Sequence, residues 1–277
     1  MDINFFNSYI EILSKSGYRD ADNFKDNCIP DRLYKYFPPE LNRLEALKNQ
    51  KLWLAQYDTF KGDPNEFSFM QLNENYFEIG KLTHNITYSM ASQWFDKNKH
   101  LVSISCFTTS FQNPDFWENY AADYTGFCVE YKVERKNLLY PIIYTDTKID
   151  ISEFACNYII STYYTTKEEK QLEEEWHKPV NLITDESMHD ISFLYFNYCA
   201  KKTKFVWENE FRIIYSNLQP QTEPGLLIPY KDLGIVPVNI YFFPEKCNSD
   251  IVPILKEFGN DNLFPISAHL PWQEYDN

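Results

Sequence analysis

Apolar residues along the chain recur at two spacings, one typical of α-helices and one typical of β-strands. Those near the start fall on one helical face and stop before Gly17, a residue that favours the end of a helix, which predicts a helix over residues 3–16. Further helices are predicted at residues 38–50, 67–81, 83–98, 113–126 and 251–258, and within residues 151–204. Strands are predicted at residues 33–37, 51–57, 100–110, 127–133, 141–145, 207–214, 226–230, 237–243 and 264–270.

The order of these elements predicts the fold class. Helices and strands mix without a regular strand–helix–strand repeat, so we expect an α+β fold with mixed, mostly antiparallel sheets around a cleft and with flanking helices. The chain has only 7 glycines, no internal repeat and no Gly/Ser linker, which indicates a single domain over residues 1–277. Within it we expect an N-terminal helical extension at 1–30 and a core at 33–277 with a helical insertion at about 151–204.

Composition narrows the class of protein. A hydrophobic fraction of 44% and an aromatic fraction of 18% predict a globular protein with a core rich in Tyr and Phe. No apolar run approaches the roughly 20 residues that a membrane helix needs. The N-terminus lacks the basic start and small-residue cleavage site of a signal peptide. We therefore expect a soluble, cytoplasmic protein that does not bind a membrane.

Cysteine, histidine and charge each disfavour one class of function. The 6 cysteines lie far apart, which indicates reduced core residues, and the 5 histidines have no neighbour at ligand spacing, so no metal site is predicted. The net charge of −14 repels phosphate backbones and disfavours general nucleic-acid binding. The short basic stretch Lys201–Lys204 is expected to be solvated surface.

The segment from Trp207 to Ile214, WENEFRII, carries two carboxylates and an arginine at alternate positions. Side chains alternate between the two faces of a strand, so a strand here would place Glu208, Glu210 and Arg212 on one face. The other face would be apolar and would pack in the core: Phe211, Ile213 and Tyr215. The polar face then carries either chemistry or a surface ion-pair network, in which a pair is worth only about 0–1 kcal/mol.

Three segments between Leu33 and Tyr215 form a distinctive series. They are LYKYF followed by LEALKNQKLWLAQYDTFKGDPNEF, then VSISCFTTSFQNPDFWENYAADYTGFCVEY, then KFVWENEFRII. In order and spacing they resemble the bacterial family called domain of unknown function 2971, whose name carries no activity. One loop departs from that family, which has Phe-Asn-Asp-Pro where two residues separate Phe60 from Asp63 in this chain.

A more distant resemblance suggests an activity. Lys35 lies on the early strand, Thr108–Ser110 end the middle strand, and Glu208-Asn209-Glu210 opens the late one. In this order they resemble ADP-ribosyltransferases of the arginine-serine-glutamate type, although a lysine stands where that family has arginine. The resemblance implies an ADP-ribosyltransferase-like fold and NAD as the substrate.

The same resemblance implies a role for each residue. Cleavage of the bond between nicotinamide and ribose passes through an oxocarbenium-like cation, which a nearby carboxylate stabilises. Glu210 would supply that carboxylate, and Glu208 would orient or deprotonate the acceptor. The other residues would bind NAD: Thr108 or Ser110 the ribose, Lys35 the pyrophosphate, and Trp207 or Tyr36 the nicotinamide ring. ADP-ribose would pass to a macromolecule or to water, as in a toxin or phage-defence effector.

Two other classes of function stay open. Asp63 and Glu66 could join Glu208 and Glu210 around a divalent ion, as in a metal-dependent nuclease or hydrolase. We expect that they do not, because their loop more readily lines the rim of a pocket than its floor. In the second class, the fold is a non-catalytic sensor that binds a nucleotide or a protein.

Overall fold

The computed structural model describes residues 1–56, 59, 70–78, 86–99, 101–153, 195–216 and 223–260, together with scattered positions between 155 and 175. Its helices are α1 (Ile3–Ser16), α2 (Tyr18–Asn27), α3 (Leu41–Lys48), α4 (Tyr88–Lys99), α5 (Pro114–Asn119), α6 (Tyr230–Leu233) and α7 (Val252–Asn260). Its strands are β1 (Arg32–Phe37), β2 (Lys51–Gln56), β3 (Met70–Gln71), β4 (Val102–Phe107), β5 (Phe127–Val133), β6 (Leu139–Pro141), β7 (Ile143–Tyr144), β8 (Ile149–Asp150), β9 (Ala200–Lys201), β10 (Phe211–Ser216), β11 (Gly225–Pro229) and β12 (Ile235–Tyr241).

The strands form two larger sheets and two short pairs. A five-stranded antiparallel sheet has the order β11-β2-β4-β10-β6, and a three-stranded antiparallel sheet has the order β1-β5-β12. The short pairs β3-β8 and β7-β9 are parallel. The predicted α+β class with mostly antiparallel sheets is therefore confirmed.

The main hydrophobic core lies between the two larger sheets. Strands of the three-stranded sheet contribute Leu33, Val129, Tyr131 and Ile240, and strands of the five-stranded sheet contribute Leu54, Phe107, Phe211 and Ile213. Helices α3, α6 and α7 add further apolar side chains to this core: Leu44, Leu47, Leu233 and Leu255. Burial of each large apolar side chain stabilises the fold by about 1.5–3 kcal/mol before conformational entropy is counted.

Helices α1 and α2 belong to a second core on the opposite side of the five-stranded sheet. Asp2 caps α1, because its Oδ1 accepts hydrogen bonds from the main-chain N–H of Asn4 (3.0 Å) and Phe5 (3.2 Å). The buried face of α1 shares this core with β4 and β10: Phe6, Tyr9, Leu13, Ile104 and Ile214. The N-terminal residues predicted as an extension therefore pack closely on the sheet.

A third cluster, which we call the aromatic cluster, covers the outer face of the three-stranded sheet. It comprises Tyr36, Phe116, Trp117, Cys128, Tyr241 and Phe243. Helix α5 brings Phe116 onto Tyr36, with ring centroids 5.2 Å apart. Asn113 caps this helix, and its side chain accepts a hydrogen bond from the Asp115 N–H at 3.0 Å.

Three predicted elements differ from those observed. The helix predicted over 113–126 ends at Asn119, since the next turn enters the left-handed region at Ala122 (φ 48°), Asp123 (φ 53°) and Tyr124 (φ 64°). The helical insertion predicted up to residue 204 is not α-helical at its end, because residues 196–198 form a 3₁₀ turn and residues 200–201 form β9. The strand predicted over 207–214 begins only at Phe211.

The predicted strand at 264–270 and the loop with Asp63 and Glu66 lie outside the described residues. In the part of the chain that is described, no helix is both long and apolar enough to cross a membrane.

Candidate functional site

The end of β4 is flanked by β1 on one side and by β10 on the other. Tyr34 and Thr108 exchange two main-chain hydrogen bonds of 2.8 Å, which link β1 to the residue that follows β4. On the opposite side, Arg212 of β10 pairs with Cys106 of β4. The strands that carry the early and late predicted residues therefore meet here, and we call this junction of β1, β4 and β10 the seam.

A tight turn before β10 places Glu208 and Glu210 at the seam. Residues 203–208 form a 3₁₀ helix, and Asn209 then adopts left-handed backbone angles (φ 42°, ψ 49°) before β10 begins. The Thr108 hydroxyl donates to the Glu208 carbonyl at 2.8 Å, and the Glu210 N–H donates to the Tyr144 hydroxyl at 2.8 Å. These bonds fix the main chain on both sides of the turn.

Glu208 and Glu210 belong to a buried ionic cluster with Lys201 and Arg212. The Lys201 ammonium lies 2.6 Å from Glu208 Oε2 and 2.6 Å from Glu210 Oε2. Arg212 Nε donates to Glu210 Oε1 at 2.6 Å, and its terminal Nη1 donates to the Tyr198 carbonyl at 2.6 Å. Lys201 thus bridges the two carboxylates, while Arg212 contacts only one of them within this cluster.

The environments of the two carboxylates push their pKa values apart. Burial raises the pKa of Glu210, but the charges of Arg212 and Lys201 outweigh burial and hold that pKa well below its usual value. Burial also raises the pKa of Glu208, and the charge of Lys201 does not fully compensate for it. Burial lowers the pKa of Lys201, but the carboxylates, Glu210 foremost, leave it raised overall. Glu210 is therefore held ionised, and Glu208 is the carboxyl group that takes up a proton more readily.

This geometry corrects three expectations. Glu208 and Glu210 precede β10 and therefore do not share a strand face with Arg212, although Glu210 and Arg212 are in contact. The side of β10 that carries Arg212 and Ile214 is buried, as is the apolar side predicted to be core. Lys201, expected on solvated surface, has only 11% of its side chain exposed because it pairs with the two glutamates.

Lys35 lies on the β1 side of the seam. Its ammonium donates to the Cys106 carbonyl of β4 at 2.9 Å and lies over the rings of Phe37 and Phe107, 5.7 Å and 5.5 Å from their centroids. Burial lowers the pKa of this amine, and the charge of Glu210 acts in the opposite direction. The Lys35 amine is therefore bonded to the residue of β4 that pairs with Arg212 on the other side.

The other residues predicted to bind NAD lie nearby but are engaged in protein contacts. Thr108 is buried and its hydroxyl is bonded to Glu208, and the Ser110 hydroxyl accepts from the Gln112 N–H at 3.0 Å. Tyr36 is buried and donates to the Ser110 carbonyl at 3.1 Å. Trp207 is 37% exposed, and its ring packs 5.3 Å from Phe116 of the aromatic cluster. Trp207 therefore presents the most accessible aromatic ring among these residues.

Sequence reasoning missed several residues of the site. Tyr120 is 45% exposed, and its hydroxyl donates to Glu208 Oε1 at 3.2 Å. Lys201 and Tyr144 had no signal as partners of the glutamates, because β9 and β7 are strands of two residues. Arg43 and Trp53, on α3 and β2, line a groove together with Lys35 and were predicted only as parts of a helix and a strand.

Two further predictions concern the thiol state of the cysteines and the presence of a metal site. All six cysteines are free thiols, with Cys28 and Cys106 half-buried and the other four buried. Within the described ranges, no three His, Cys, Asp or Glu side chains are arranged to hold a metal ion. Asp63 and Glu66 lie outside those ranges, so their separation from Glu208 and Glu210 stays a prediction.

The chain matches no family model, no curated protein and no solved structure. The resemblances to domain of unknown function 2971 and to ADP-ribosyltransferases therefore remain predictions. Any functional conclusion rests on the geometry of the seam.

Proposed function

We propose that the protein cleaves NAD at the seam and passes ADP-ribose to a macromolecule or to water, as an ADP-ribosyltransferase or NAD glycohydrolase. One observation carries the proposal. Lys35, the strand end at Thr108 and the pair Glu208 and Glu210 come from three distant parts of the sequence and meet around β4. Cleavage of NAD calls for these groups together: a cation for the pyrophosphate, polar groups for the ribose and a carboxylate for the developing cation.

The split pKa values support different roles for the two carboxylates. Glu210, held ionised, would face the oxocarbenium-like cation as nicotinamide leaves. Glu208, whose pKa is raised, would accept the proton of the attacking hydroxyl group or water. Pairs of carboxyl groups with separated pKa values are typical of sites that combine an electrostatic role with acid–base chemistry.

The charge of the ionic cluster imposes one condition on this mechanism. With both glutamates ionised, the charges of Glu208, Glu210, Lys201 and Arg212 sum to zero, and a neutral cluster stabilises a cation poorly. The Lys201 ammonium must therefore move from Glu210 when NAD binds. Lys201 can do so more readily than Arg212, whose side chain is fully buried, and the pyrophosphate of NAD would attract it.

The proposal is tested by measuring both products of NAD cleavage, nicotinamide and ADP-ribose. Purified protein is incubated with NAD labelled in the adenylate part, with and without cell extract, and nicotinamide release and label transfer are measured. We expect nicotinamide release by the wild type, and we expect Glu208→Gln to reduce transfer to macromolecules more than hydrolysis. Glu11→Gln is the matched control, since it removes an exposed carboxylate of α1 that pairs with Lys15.

Two results would contradict the proposal. Absence of nicotinamide release under all conditions, together with absence of dinucleotide binding, would leave a non-catalytic sensor. Equal loss of activity in Glu208→Gln and Glu11→Gln would show that the activity does not arise at the seam.

A further inference from the structure

A groove separates β1 from β2 along one edge of β4. In the described part of the chain, β2 pairs with β4 only through Ala55 and Gln56, and β1 reaches this edge only through Tyr34. The edge around Cys106 therefore faces a groove of about 570 Å³, which includes open solvent. The groove adjoins the seam, because Cys106 lies opposite Arg212 of the ionic cluster.

Two cations line this groove. The Lys35 side chain is half-buried, and no carboxylate among the described residues lies within salt-bridge distance of its amine. Arg43 donates through Nε to Glu40 at 3.0 Å, and its terminal amino groups have no hydrogen-bond partner among the described residues. The charge of Arg43 also disfavours the charged form of Lys35. A half-buried cation without an acidic partner among the described residues, beside a second cation, is stabilised by a bound anion.

One aromatic ring completes the groove. Trp53 of β2 is half-buried and lines the groove, and its indole also lies against Gly225 of β11. A Cβ at position 225 would approach Trp53 Cζ2 to 2.5 Å, so the absence of a side chain at Gly225 lets the indole lie there. The indole is thus held beside the strand and offers a surface on which a planar ring can stack.

We infer that this groove binds the adenosine diphosphate half of NAD, with the phosphates between Lys35 and Arg43 and the adenine ring on Trp53. The identity of the dinucleotide rests on the proposed function, whereas the groove itself predicts a nucleoside diphosphate. The inference adds Arg43 and Trp53 to the binding residues.

Binding of ADP, adenosine and inorganic pyrophosphate, measured by calorimetry, tests the inference. We expect ADP to bind more tightly than either fragment. Arg43→Gln should weaken ADP binding by about tenfold or more, because it removes a charge-assisted contact. Lys48→Gln is the matched control, since it removes an exposed cation from the same helix and should leave binding unchanged.

A second pair of variants tests the stacking. Trp53→Leu should weaken binding of ADP but not of pyrophosphate, and Trp53→Phe should keep most of the affinity; thermal melts show whether each variant folds. No ADP binding at millimolar concentration, or equal affinity in Arg43→Gln and Lys48→Gln, would overturn the inference. ADP binding that depends on Arg43 without nicotinamide release would refute the proposed function alone, and nicotinamide release that is independent of Arg43 and Trp53 would refute the inference alone.

Discussion

Glu210 is held by more charged contacts than any other residue predicted to be catalytic. Its carboxylate contacts Lys201 and Arg212 at 2.6 Å each, and its main-chain N–H is bonded to Tyr144. Such a residue contributes to stability whether or not it also takes part in chemistry. Loss of activity on its substitution is therefore informative only when folding is measured in the same samples.

Glu210→Gln should lower the free energy of unfolding by about 3 kcal/mol at pH 7. The change removes a carboxylate that contacts both Arg212 and Lys201, and removal of one partner of a buried pair is strongly destabilising. Urea denaturation measures the difference, with Glu11→Gln as the exposed control, which should match the wild type. Equal midpoints for all three proteins would contradict the observed contacts of Glu210.

The stability difference between wild type and Glu210→Gln should also depend on pH. Because the folded protein holds the pKa of Glu210 below its ordinary value of 4.5, the stabilisation is fully present above that value. It is lost as the pH falls below about 4.5 toward the folded-state pKa, so the two unfolding curves should converge in acid. Denaturation midpoints between pH 3 and pH 7 test this, and a constant difference would contradict it.

Lys201→Met should move the pH dependence of the reaction. The Lys201 charge opposes the rise in the pKa of Glu208, so its removal should raise that pKa further. If Glu208 acts as the base, the acidic limb of the rate profile for ADP-ribose transfer should shift to higher pH, and Lys201→Arg should restore most of the original profile. An unshifted limb in Lys201→Met would exclude Glu208 as the group that titrates.

At the scale of elements, the turn before β10 shows what local sequence can and cannot predict. Periodicity correctly predicts α1, β5 and the apolar side of β10, because each depends on residues close together in the chain. The turn instead depends on a hydrogen bond from Thr108, 100 residues before Glu208. Alternating charges in WENEFRII therefore predict a continuous strand, and only the tertiary contacts reveal the 3₁₀ turn.

The left-handed backbone of Asn209 in this turn predicts how substitutions at that position change the free energy of unfolding. Its left-handed backbone (φ 42°) is tolerated by Asn and Gly but strained for other residues. Asn209→Ala should reduce the free energy of unfolding by about 1 kcal/mol, whereas Asn209→Gly should stay close to the wild type. Chemical denaturation of both variants measures this, and equal destabilisation by Ala and Gly would contradict the assigned backbone conformation.

At the scale of the whole molecule, the site lies where the strands of the two larger sheets diverge. The three-stranded and five-stranded sheets share the main core, yet in the described part of the chain only Tyr34 and Thr108 pair their strands directly. This arrangement leaves one edge of β4 open beside a buried ionic cluster. The sequence predicts the α+β class and the order of the residues, whereas the meeting of Lys201, Tyr120 and Arg43 with them depends on packing between distant segments.

The most direct test of NAD cleavage at the seam is the rate of nicotinamide release at saturating NAD. The wild type and Glu210→Gln are compared at a temperature and pH at which melting curves show both to be folded, with Glu11→Gln as the control. We predict release by the wild type and by Glu11→Gln, and its loss in folded Glu210→Gln. Release that persists in folded Glu210→Gln, or no release by the wild type, would contradict an active site at the seam that depends on the Glu210 carboxylate.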